Sequence, residues 1–188
     1  MLMKSLKELI NAILNSSENK ELENIKRNPT MIKEITNPTE AQQLAAVRSS
    51  SHVIKYIKEP TKKVRFIALK DDIYNYRYIK SLTKKEQLYL IKEGIRIENI
   101  KRPVEKVQLY ALKWRRASIS DIRNPTEKAQ LITIRKDKEL FLYIKNPTIT
   151  VCQEVARAYC GNIEVPADRR IIKPTQKLVS CLQDTEGY

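Results

Sequence analysis

The sequence predicts an all-α protein, an α-solenoid of short stacked helix–turn–helix repeats with divergent N- and C-terminal caps. Three observations lead there. A 22-residue unit, I-K-N-P-T-E-x-x-Q-L-x-A-φ-K with φ apolar, recurs with anchor prolines Pro38, Pro60, Pro103, Pro125 and Pro147, and Leu82 stands where one more is due. The steps between anchors are 22, 22, 21, 22 and 22 residues. A fixed short period marks repeats that cannot bury an apolar face alone and must stack on neighbours. The chain also holds only 3 glycines among 188 residues, which disfavours Gly-loop and phosphate-cradle folds. Its dominant Leu, Ile, Lys, Glu and Gln are helix formers.

Taken in order, residues 1–36 form an N-terminal helical cap. Met1 to Leu14 is amphipathic but broken by Ser5, Glu8 and Asn11, with no secretory apolar core, so it reads as a first helix over 2–14. A second is expected over 20–35, with Pro29 in an out-of-period Asn-Pro-Thr start. Residues 37–158 hold five to six αα repeats, and 159–188 a C-terminal cap and tail, all in one domain. Each repeat is expected to start at an Asn N-cap (Asn37, Asn124, Asn146), followed by Pro in the first turn, with Glu40 and Glu127 as capping-box carboxylates.

Numbering each copy from its proline, positions 7 and 10 share one helical face, as in Leu44 and Val47 or Phe66 and Leu69. Position 9 is small in Ala46, Ala68, Ala111 and Thr133, which permits close helix approach. A second, two-turn helix is expected to close on the isoleucine at position 20 (Ile57, Ile79, Ile100, Ile122, Ile144). Gly94 falls at the turn of the 21-residue copy. A further helix over 175–182 is expected before a polar tail.

This motif resembles a family of short tandem helical repeats of unknown function found in phages, giant viruses and bacterial effectors. The resemblance covers about residues 34–158, and Asn124-Pro-Thr-Glu-Lys-Ala-Gln-Leu131 lies close to the consensus. It implies a viral or mobile-element setting and transfers no catalytic motif.

The formal net charge is +14, and the middle of the chain carries it. Residues 1–47 hold 6 basic and 6 acidic side chains, residues 147–188 hold 5 of each, and residues 48–146 hold 25 and 11. Position 11 is basic in every copy: Arg48, Lys70, Lys92, Lys113, Arg135 and Arg157. Position 21 nearly repeats this with Lys58, Lys80, Lys101, Arg123 and Lys145. Such ladders suit phosphates, since a repeat step of about 10 Å spans roughly three nucleotides. A helix C-terminus alone also favours a cation by about 0.3–1 kcal/mol, so structure by itself accounts for them as well. Aromatics interleave with basic residues that the repeat does not require: Tyr74, Tyr76 and Tyr78 around Arg77, and Trp114 before Arg115 and Arg116. Aromatic platforms beside cations hold single strands without reading sequence. The candidate anion-binding set is therefore Arg48, Lys70, Arg77, Lys92, Lys113, Arg115, Arg116, Arg135, Tyr74, Tyr78 and Trp114.

The near-invariant Gln43, Gln87, Gln108 and Gln130, with Arg65 as the exception, vary too little for a base-reading code and fit a hydrogen bond between neighbouring copies. Catalysis, metal and cofactor find no support. His52 is the only histidine, no nucleophile elbow is present, and Cys152, Cys160 and Cys181 lack zinc spacing. The expected partner is RNA or single-stranded nucleic acid, or an acidic or nucleic-acid-loaded protein. The alternative is a phage- or virus-encoded interaction module inhibiting a host defence or regulatory complex. No membrane span is expected, and the reduced thiols fit a cytoplasm.

Overall fold

The computed structural model describes residues 2–160. The expected helix over 175–182 and the tail lie outside the described residues. Among the described residues every regular element is helical and none is a strand. They fall into two compact units that divide between Leu82 and Thr83, where the repeat proline is missing.

The first unit contains α1 (Leu2–Arg27), α2 (Glu40–Ser49) and α3 (Lys62–Asp71), followed in turn by 3₁₀ helices Pro29–Glu34, Ser51–Tyr56 and Ile73–Tyr78. Helix α2 packs against both α1 and α3, and successive 3₁₀ helices pack against each other. The second unit contains α4 (Lys84–Lys92), α5 (Glu105–Lys113), α6 (Glu127–Lys136) and α7 (Ile149–Cys160), each α-helix packing on the next. Its 3₁₀ helices are Ile97–Asn99, Ile119–Asp121 and Lys138–Tyr143.

The second element of each copy is thus 3₁₀ and not the α-helix expected. The apolar spacing explains it: positions 17 and 20 lie three apart, and a helix of 3.0 residues per turn eclipses them on one face. Ile54 and Ile57 are both buried, as are Phe141 and Ile144. The closing amides bond three residues back, Ile57 to the Ile54 carbonyl at 3.1 Å and Ile144 to that of Phe141 at 3.1 Å.

The N-terminal cap also differs from expectation. One helix, α1, runs unbroken to Arg27, and the out-of-period Pro29 opens a 3₁₀ helix. The register shows why: Ile25, Ile32 and Ile35 stand 22 residues before Val47, Ile54 and Ile57. Ile25 and Ile32 are fully buried. The cap is therefore one more copy with a lengthened first helix.

Helix starts correct the expected N-cap. The cap is the threonine after the proline, not the asparagine before it: Thr39, Thr61, Thr83 and Thr126 each accept a bond from the amide three residues on. Asn37 sits outside the helix with φ 59°, a left-handed value that asparagine tolerates. Glu40 and Glu127 occupy the first helical position and are not the capping-box partners. The boxes are closed by Gln42 on Thr39 and Glu86 on Thr83. The deepest helical positions are 5, 9 and 10 (Val64, Ala68 and Leu69 in the second copy). Position 7, expected in the core, is half-buried at Leu44, Phe66, Leu88, Leu109 and Leu131.

The glutamines make the expected bond between copies, with definite partners. Gln43 Oε1 accepts from the Thr61 amide at 3.1 Å, Gln87 from Val104 at 3.0 Å, Gln108 from Thr126 at 2.8 Å and Gln130 from Thr148 at 3.0 Å. Gln108 Nε2 donates to the Pro103 and Asn124 carbonyls, and Gln130 Nε2 to those of Pro125 and Asn146. Each glutamine thus satisfies the cap amide of the following copy, which a helix start leaves orphaned.

Where the preceding copy lacks the glutamine, the cap amide is met locally. Glu21 precedes Thr39 and Arg65 precedes Thr83 at that position. There the amides donate to the copy's own position 5, Thr39 to Gln42 at 2.8 Å and Thr83 to Glu86 at 2.6 Å. In the copies served by a glutamine, position 5 is apolar and buried: Val64, Val107, Ala129 and Val151.

Gln108→Ala strands one amide and two carbonyls, and we expect a loss of about 2–4 kcal/mol in urea unfolding, since each unmet buried group costs about 1–3 kcal/mol. Glu86→Val is expected to destabilise by about 1–2 kcal/mol and Glu86→Gln far less, because only the amide oxygen preserves the box.

Candidate functional site

In the first unit, Arg48 and Lys70 sit in the last turns of α2 and α3, where the helix C-terminus favours a cation. Both are exposed, and no carboxylate among the described residues pairs with either. The Lys70 ammonium lies 5.2 Å from the Phe66 ring centroid. The 3₁₀ helix Ile73–Tyr78 carries the expected aromatic cluster. Asp72 caps it by accepting from the Tyr74 amide at 2.9 Å. The Arg77 guanidinium lies 5.2 Å from the Tyr74 ring and 5.9 Å from the Tyr76 ring. Tyr74 and Tyr78 are 55% and 46% exposed, whereas Tyr76 is half-buried. Arg77, Tyr74 and Tyr78 are therefore brought together on one short element, with one ring facing the copies and two facing solvent.

In the second unit, Lys92 and Lys113 close α4 and α5 and lie 5.8 Å from the Tyr110 ring and 5.7 Å from the Trp114 ring. Tyr110 and Trp114 are tilted at 44° with centroids 6.2 Å apart, and Trp114 is 59% exposed. Arg115 has φ 53° and Gly94, at the same repeat position, has φ 95°. Both end their helices by the same device: the Ile95 amide reaches back to the Leu90 carbonyl at 2.9 Å, and that of Arg116 to Ala111 at 2.8 Å. Glycine is the ordinary residue for this left-handed cap. Arg115 holds it with a long cation, exposed and unpaired among the described residues.

Two members of the expected set have structural partners. Arg116 Nη1 donates to the Ile91 carbonyl at 3.2 Å and so caps the end of α4 from the next copy. Arg135 forms a two-pronged pair with Glu154, Nε to Oε1 at 2.7 Å and Nη2 to Oε2 at 3.0 Å. That bond holds the Glu154 carboxyl below its ordinary range, and it raises the Arg135 guanidinium. Its fork is occupied, which reduces what it offers a phosphate.

The remaining candidates behave as follows. His52, expected to be solvated, is 63% exposed and has Nε2 3.3 Å from Asp72 Oδ2. Cys152 is a free buried thiol that stands at the ladder-glutamine position of the last copy. Among the described residues no cluster of three metal-ligating side chains exists, and no helix is long and apolar enough to cross a membrane.

Sequence reasoning passed over Tyr56, which is 41% exposed with the Lys55 ammonium 5.0 Å from its ring. The signal was present: Tyr56, Tyr78 and Tyr143 share repeat position 19. It also missed a cleft of about 430 Å³ in the first unit, lined by Lys33, Ile35–Pro38, Gln43 and Tyr56–Glu59.

Compared with known proteins, the chain matches no family, no curated protein and no solved structure.

Arg115→Gly relieves a left-handed backbone and is expected to stabilise the chain by about 0.5–1 kcal/mol in urea unfolding. In Arg135→Ala the Glu154 carboxyl should titrate higher by carbon-detected NMR, moving back toward the ordinary glutamate range. Because the paired carboxyl is depressed, this bond supports the fold above the ordinary carboxylate range and is lost as pH falls through the lowered value. Both partners are largely solvated, so the effect on stability is small.

Proposed function

We propose that the protein is a non-catalytic, cytoplasmic α-solenoid whose basic repeats bind single-stranded nucleic acid. One observation carries the reading. Each unit exposes basic side chains without a carboxylate partner among the described residues, next to exposed aromatic rings. In the first unit Arg77 lies over the exposed Tyr74, with Tyr78, Arg48, Lys58, Lys70 and Lys80 also exposed; in the second, Lys113 lies over the exposed Trp114, with Lys92 and Arg115 also exposed.

The chemistry follows from the pairing. Ammonium and guanidinium groups at the helix ends meet phosphates and release counterions, while rings take the face of any base. Cations already lying over Tyr74, Tyr110 and Trp114 hold those rings at the charged edge. Nothing in this arrangement selects one base edge over another, so the binding is sequence-tolerant. Short repeated elements suit a flexible strand better than a rigid duplex, since exposed rings and cations recur in several copies.

With about six phosphates neutralised, log affinity should fall against log salt with a slope of about −4 to −5 in fluorescence anisotropy with a mixed single-stranded pool. Lys113→Glu with Arg115→Glu should weaken that binding by about tenfold or more and make the slope shallower by about 2. Arg115→Gly provides the sharper contrast, a more stable protein that binds less well. A flat salt response, or no binding, rejects the reading.

A further inference from the structure

The cleft of the first unit lies between two equivalent turns, Ile35–Pro38 and Tyr56–Glu59, and is about 430 Å³ in volume. That is within the range of about 300–1,000 Å³ in which small planar ligands are held. It opens where the glutamine ladder is incomplete. Gln108 and Gln130 each donate to two carbonyls, the second being the residue before the next proline (Asn124, Asn146). Gln43 donates only to Pro38, at 2.9 Å. The corresponding carbonyl, that of Glu59, receives no hydrogen bond among the described residues. One of the two N–H groups of the Gln43 amide and the main-chain carbonyl of the exposed Glu59 are therefore left for a ligand or water along the same cleft.

The rest of the lining has a definite chemistry. Tyr56 supplies an aromatic wall, with Lys55 against its ring. Lys33 and Lys58 supply positive charge; Lys33 lies 3.4 Å from Glu34 on the exposed surface, a pair too solvated to hold the ammonium in place. The Glu59 carboxylate opposes a bare anion and instead accepts from an amino group. An aromatic face, adjoining donor and acceptor, and flanking cations match a nucleobase still attached to its phosphates.

We propose that this cleft takes one base of a bound single strand, stacked on Tyr56 with its edge on the free Gln43 N–H and Glu59 carbonyl, and its phosphates at Lys33 and Lys58. This rests on the reading of the protein as a single-strand binder and names a site that reading did not contain. Asn37, held at φ 59°, shapes the rim at one turn.

The test uses the full chain with a fluorescein-labelled mixed-sequence 12-mer, as RNA and as DNA, by anisotropy across a salt series. Tyr56→Ala should weaken binding by about 5- to 100-fold with an unchanged salt slope, and Tyr56→Phe should restore it to within about twofold. Lys58→Ala should make the slope shallower by about 1. Both side chains replaced, Tyr56 and Lys58, are exposed, and unchanged thermal melts verify the fold. If the wild type binds with a steep salt slope and Tyr56→Ala binds equally well, the cleft is not the site and the broader reading survives. Equal weakening by Ala and Phe overturns stacking. No salt-dependent binding by the wild type removes both.

Discussion

A buried glutamine amide at position 6 of one copy closes the helix start of the next, and this bond governs how the repeats can exist. A helix N-terminus inside a packed protein has amides that no turn of its own can satisfy. Here the neighbour supplies the acceptor, so a copy without its predecessor leaves a polar group stranded. Where the predecessor has Arg65 or Glu21 instead, the copy closes its own cap with Glu86 or Gln42. The choice at position 5, polar or apolar, is thereby tied to the residue 21 places earlier in the chain, or 20 across the shorter copy. Two positions that look independent in sequence are one constraint in space.

The same bond explains how the 21-residue copy is tolerated. Gln87 still reaches the Val104 amide, though the separation is one residue shorter than between Gln108 and Thr126. The missing residue falls in the turn after Gly94; the following 3₁₀ helix has three residues, as it has in the 22-residue copy that turns at Arg115. Positive φ at that turn lets the chain double back in fewer residues. Arg115 uses the same turn without glycine's freedom, and the backbone bonds from Arg115 to Leu112 and from Arg116 to Ala111 close it. A strained cation on the surface is a feature that the fold does not need.

Much of the charged surface is likewise optional to the fold. Cations at the last turns of α2, α3, α4 and α5 are compatible with the helix dipole and add little stability in solvent. Arg116 and Arg135 differ because each crosses to an adjacent copy, one to the Ile91 carbonyl and one to Glu154. Regular placement in sequence does not separate these two kinds of cation. The distinction arises from whether a carbonyl or carboxylate of the adjacent copy comes within reach.

The period, the helical content and the bridging role of the glutamines were legible in the chain, because each depends on local spacing that recurs. The anchors and the buried Ile54, Ile57, Phe141 and Ile144 declare themselves by register alone. What the letters did not declare was the backbone geometry: apolar residues three apart also suit a short α-helix, but a 3₁₀ turn eclipses them, and Ile57 and Ile144 bond three residues back. Nor did they show that threonine, and not asparagine, caps α2 and α6, since both stand within three residues of the start and only the amide's direction decides. The cleft beside Tyr56 was invisible too, because its lining comes from two turns 21 residues apart in the chain. Sequence determined the elements and their repeat; tertiary contact between copies decided which polar groups are satisfied and which remain exposed for a ligand.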